Sequence, residues 1–120
     1  MDATLSEEPQ ERAPSFVPRS YTPTPEIFGE NATVRFIPLG PGRQHRIWAE
    51  ASRQQHLFVV AVRLQLGGPR TMRALAERTG INYYRLSRLL RGHLPMRLTE
   101  MASIAHTLRL EATWHNRERP

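Results

Sequence analysis

Apolar and polar positions divide the chain into a broken first third and a periodic remainder. From Gln44 to Leu66 neither proline nor glycine interrupts, and Ile47, Trp48, Ala51, Leu57, Phe58, Ala61, Val62 and Leu64 fall along one broad side of a helix over 44–66. Val59, Val60 and Val62 would equally suit a strand across 57–66. Gly67-Gly68-Pro69 stops the element in either form. Beyond the stop, Thr71 is placed to cap a short helix over 71–79 that carries Leu75 and Ala76 and ends at Thr79-Gly80. Asn82 is a good N-cap for the next helix, 82–91, which Gly92 ends. Leu86 and Leu89 share its inward side, and Ile81 plugs the turn.

The first 43 residues follow no such period. Seven of the ten prolines lie at positions 9, 14, 18, 23, 25, 38 and 41, removing backbone donors and excluding a long helix. Residues 1–43 therefore read as a mostly disordered arm, within which Thr33-Val34-Arg35-Phe36-Ile37 predicts one short strand closing at Pro38. A lone strand leaves its edges unpaired, so it would pair with a second subunit or lie against the helical part.

Charge divides at the same place. Residues 1–42 carry three arginines and six acids, whereas 43–120 carry fourteen arginines and five acids, and no lysine occurs anywhere. The net charge of +6 suits polyanionic partners, and arginine's planar fork matches phosphates and guanine edges, although a GC-rich genome would leave the same bias. At 120 residues the chain is one small domain with tails, which excludes two-domain enzymes. The acidic arm reads as a solvated tail, a partner-binding segment, or a mimic of a nucleic-acid strand that folds onto the basic face.

Absent cysteine removes disulfides, zinc-cysteine sites and thiol catalysis. The most apolar run, Leu57 to Val62, is far too short to span a membrane, and no basic, apolar leader is visible at the amino terminus, so a soluble, cytoplasmic, nucleoid-associated protein is expected. The five histidines show no metal-ligand spacing. The basic part has no aspartate, no paired glutamates and no nucleophile motif, so no metal, no cofactor and no enzymatic activity are expected.

With Leu86 and Leu89 turned inward, Tyr83, Tyr84, Ser87, Arg88 and Arg91 lie on the other side of helix 82–91, with no acid among them. At this point residues 71–108 resemble the helix-turn-helix of the lambda repressor and Cro-like (XRE) family. The resemblance rests on Leu75-Ala76, Gly80-Ile81, Leu86-Ser87-Arg88-Leu89 with Arg91-Gly92, and Ile104-Ala105 with Leu108. It implies an all-α bundle of four or five helices over 44–116, adding 97–108 and a turn near 111–116 with Trp114 closing the core, followed by a tail at 117–120.

The resemblance further implies a double-stranded DNA-binding regulator, a repressor of a bacterium, phage or mobile element, whose helix 82–91 enters the major groove as a homodimer on a two-fold site. Tyr83, Tyr84, Ser87 and Arg88 are then the base contacts, and Thr71, Asn82, Arg85, Arg91, Arg70 and Arg73 the phosphate contacts. The plainer alternatives are that either tyrosine packs on the preceding helix and that Arg85 pairs with Glu77 or Glu100. Three positions depart from the pattern. Met72 replaces a usual glutamine, Leu90 replaces a polar residue and would be exposed or packed on a partner, and Arg97 is a poor N-cap. Residues 27–48 are the candidate dimer surface. The competing function is a protein-interaction module, antitoxin-like or a replication accessory, whose arm binds a protein partner.

Overall fold

The computed structural model describes residues 16–67 and 69–111 and is all-helical, with no strand among the described residues. Four α-helices follow one another: α1, Arg43–Gln65; α2, Pro69–Thr79; α3, Tyr83–Leu90; and α4, Leu98–Leu108. Two short 3-10 turns, Pro18–Tyr21 and Pro25–Ile27, precede them, each opened by a proline whose missing N–H costs nothing there.

The long helix forms as its uninterrupted run predicts, with Val62 in the core and Phe58 packed against it, but with the inward face turned away from Ile47, Leu57 and Leu64. Its buried residues are Ala49, Ser52, Gln55, His56, Val59 and Val62, while Ile47, Leu57 and Leu64 are exposed. Hydrogen bonding offsets the burial of three polar side chains. Ser52 Oγ donates to Trp48 O at 2.8 Å, and Gln55 and His56 bind backbone groups of distant segments, described below.

The second helix starts at Pro69 rather than after Thr71, because proline is well suited to the first helical position. Thr71 is therefore not the cap, and its Oγ1 instead accepts from Gly67 N–H at 3.0 Å. Gly80, at φ 78°, makes the tight exit from α2. Asn82 caps α3 as expected, its Oδ1 accepting from Tyr84 N–H at 2.9 Å and Arg85 N–H at 3.1 Å. At α4, Arg97 offers no side-chain acceptor of its own. Glu100 Oε1 makes up for it by accepting the Arg97 N–H at 2.9 Å. Trp114, the turn near 111–116 and the tail lie outside the described residues, apart from Glu111.

The core consists of Val59 and Val62 of α1, Leu75 and Ala76 of α2, Leu86 and Leu90 of α3, Ile104 of α4, and Phe28 from the arm. Phe28 is the main departure from the sequence reading, since residues 16–42 are not a disordered tail but a strap folded onto α1. Phe16 stacks on Trp48 with ring centroids 5.4 Å apart, and Phe28 and Phe36 both meet the His56 ring. Leu90 is correspondingly 1 % exposed, packed in the core that the strap's Phe28 joins. Residues 33–37 make no strand. The Ile37 N–H donates to Tyr21 O at 2.9 Å, and the Phe36 ring meets those of His56 and Phe28, so the segment lies against the rest of the chain.

Candidate nucleic-acid interface

The two ends of α3 are held by different means. Its first turn relies on the Asn82 cap, a local device. Its last turn is satisfied from far along the chain. Gln55 Nε2 donates to Leu89 O at 3.0 Å and to Leu94 O at 2.9 Å, while Gln55 Oε1 accepts from Met96 N–H at 2.8 Å. One buried amide thus straps both the end of α3 and the loop after it to α1. Arg63 Nη2 donates to Leu90 O at 3.2 Å, and the strap's Arg19 N–H donates to Gly92 O at 2.9 Å.

Gly92 carries this junction for two reasons. Its φ of 79° suits glycine, and a Cβ there would lie 2.7 Å from the Phe28 ring. The strap is anchored beside it by His56, fully buried, whose Nδ1 accepts from Gly29 N–H at 2.8 Å and whose Nε2 contacts Asn31 O at 2.7 Å. Because Nδ1 accepts, the proton sits on Nε2 and the ring is neutral. Burial holds its proton affinity below the ordinary histidine range, with the Asn31 carbonyl opposing in part.

On the outer side of α3, Tyr84 is 71 % exposed, Arg88 and Arg91 are exposed, and Ser87 is half-buried. Tyr83 differs from its neighbour. It is half-buried against the core, the Arg73 guanidinium lies 4.2 Å from its ring centroid, and its ring meets that of Tyr84 edge-on at 5.4 Å. Tyr83 thus packs on the preceding helix through Arg73. Arg85 is likewise engaged. Its Nε and Nη2 donate to Glu100 at 2.6 and 3.2 Å, so this guanidinium ties α3 to α4 rather than standing ready for a phosphate. The same pair holds the Glu100 carboxyl below the usual carboxylate range.

Of the anticipated contacts, Tyr84, Ser87, Arg88 and Arg91 share one face. Arg73 stands beside it over Tyr83, Asn82 borders it while serving as cap, and Thr71 lies at the start of α2. The side chain of Arg70 lies outside the described residues. Sequence reasoning missed Gln55, His56 and Arg63, which orient α3 from within the fold, and His93 and Arg19, half-buried at its C-terminal end. The one available signal was the 3–4 spacing of Ser52, Gln55, His56, Val59 and Val62, whose polar members look like a solvated face.

Among the described residues no helix is long and apolar enough to cross a membrane. The chain matches no family model, no curated protein and no solved structure. Its function must be read from the chemistry of this face.

Proposed function

We propose that the chain is a sequence-specific double-stranded DNA-binding transcriptional regulator that lays α3 in the major groove. One observation carries the reading. A short helix, capped at one end and strapped at the other, presents Tyr84, Ser87, Arg88 and Arg91 with no carboxylate in its own eight residues. An exposed guanidinium on the outer side of such a helix suits bidentate donation to guanine O6 and N7, worth about 1–3 kcal/mol of discrimination. Tyr84 adds a ring edge for a thymine methyl and a hydroxyl for a phosphate or base.

A single headgroup of this size buries too little for tight specific binding, so two copies would act on a two-fold site with their α3 helices about 34 Å apart. Exposed Ile37, Leu39 and Ile47, all within residues 27–48, are the apolar side chains offered for pairing. The test is enrichment of a randomised duplex pool at about 0.15 M salt, with Arg88→Ala in parallel. A palindromic motif that loses one position in the variant is expected. Tight binding without a motif would reduce the protein to a charge-driven coat, and no binding would overturn the reading.

A further inference from the structure

At the C-terminal end of α3, positive charge converges from two distant parts of the chain. Arg91 caps the helix and Arg88 precedes it by one turn. The strap brings Arg19, whose backbone is pinned to Gly92 O and whose Nη1 donates to His93 Nε2 at 2.8 Å. His93 N–H in turn donates to Arg88 O at 3.0 Å, which seats the imidazole inside the cluster. Arg63, on Leu90 O, adds a fourth guanidinium close to Arg91 and is itself partly offset by Glu30.

We propose that Arg19, Arg91 and His93 form a phosphate-binding site through which the strap, and not α3 alone, grips the backbone of duplex DNA. The inference rests on the reading of α3 as a groove helix and extends it to a residue from the acidic arm. Arg19 is as well placed as the arginines of α3, because its backbone is hydrogen-bonded to the turn that ends that helix and its neighbours Phe16 and Tyr21 pack on Trp48. Three guanidiniums around one imidazole repel one another, and a phosphate, which a guanidinium can grip with two parallel hydrogen bonds, is the anion that relieves this.

The chemistry includes a proton. In the free protein Nε2 accepts from Arg19, so His93 is neutral with its proton on Nδ1. The charges acting on the ring are Arg19 from the strap and Arg91 and Arg88 from α3, with no carboxylate among the described residues. Burial first, and then those cations, hold its proton affinity down. A phosphate oxygen is a stronger acceptor for Arg19 than an imidazole nitrogen. When Arg19 turns to it, Nε2 is freed beside an anion and takes a proton from solvent. Binding is therefore coupled to proton uptake and tightens as pH falls toward and below the ordinary histidine range.

The experiment follows the His93 ring resonances of the full chain by NMR, assigned with His93→Gln, during separate titrations with inorganic phosphate and with the enriched duplex at ionic strength fixed by chloride. Both ligands should move the His93 signals and raise its titration midpoint. Arg19→Gln should abolish the phosphate response and lower the salt slope of duplex binding by about 1, with Arg19→Lys restoring part of it. Unfolding midpoints of both variants check that the strap stays docked. A His93 signal moved by neither ligand, or moved equally by chloride, overturns the site, as does an unchanged salt slope in Arg19→Gln. If phosphate moves His93 but no duplex binds, the anion site stands and the groove reading fails. If the duplex binds through Arg88 while His93 is silent, the reverse holds.

Discussion

The N-terminal and C-terminal ends of α3 solve the same problem in opposite ways. At the first turn, Asn82 satisfies two backbone donors from within three residues. At the last turn, the carbonyls of Leu89 and Leu90 receive Gln55 and Arg63, which lie 34 and 27 residues away, and Gly92 O receives the strap. The local solution stabilises the helix as a helix. The remote one fixes where the helix points, which is what the proposed base-reading role requires.

The largest test of this contrast removes the strap's anchor. Phe28→Ala empties a core position and should lower unfolding free energy by about 3–5 kcal/mol, measured by urea denaturation. A loss under about 1 kcal/mol would make the strap an accessory and dissolve the contrast. Gln55→Ala leaves Leu94 O and Met96 N–H without their side-chain partner and should cost about 1–3 kcal/mol, with duplex affinity falling further than stability alone explains. Equal losses at Arg88→Ala in both backgrounds would show that Gln55 does not orient the face.

Acidification probes the same junction. Burial lowers the proton affinity of both His56 and His93 in the folded chain, so the unfolded state binds protons first, near pH 6.5. Stability should be complete above that pH and fall as pH drops below it toward the folded-state values. His56→Gln, followed by thermal melts across pH 5–8, should flatten most of this slope, and an unchanged slope would place the effect elsewhere.

Asn82→Ala should cost about 1 kcal/mol while leaving the strap docked. Smallest of all, Glu100→Gln should cost about 0.5–1 kcal/mol, read by the same denaturation, because its ion pair with Arg85 is partly exposed and a glutamine amide oxygen can still accept the Arg97 N–H. If either exceeded Gln55→Ala, the local end would be the more important one.

Local devices were legible in the sequence and remote ones were not. The first three helices came within a few residues of their observed bounds because proline, glycine and Asn82 act on their immediate neighbours, while the fourth, 97–108, entered only with the resemblance. The inward face of α1 was only partly legible: Val62 and Phe58 were placed correctly, but apolar periodicity also selects the exposed Ile47, Leu57 and Leu64, whereas the rest of the buried face is set by Gln55 and His56 finding backbone partners in segments the sequence cannot bring together. The strap escaped notice for the same reason. Its prolines forbid regular structure, and Phe16, Tyr21, Phe28 and Phe36 form no period, so only their seats on α1 and Gly92 reveal them as packed. On the candidate face, Tyr84, Ser87 and Arg88 followed from helical geometry, while Arg85 was decided by Glu100 in another helix.

The Arg19–His93 hydrogen bond joins groups 74 residues apart. On a ribosome adding about 5–20 residues per second, the strap is made roughly 4–15 s before the turn it docks against. Its aromatic rings gain seats on Trp48 and His56 once α1 is made, while the Arg19 contacts wait for Gly92 and His93, and its prolines keep the strap from settling into a competing helix or strand in between. The strap is thus the first of the described residues to be synthesised, yet its hydrogen bonds to Gly92 and His93 can form only once the turn after α3 has been made, so the earliest segment closes some of the latest contacts.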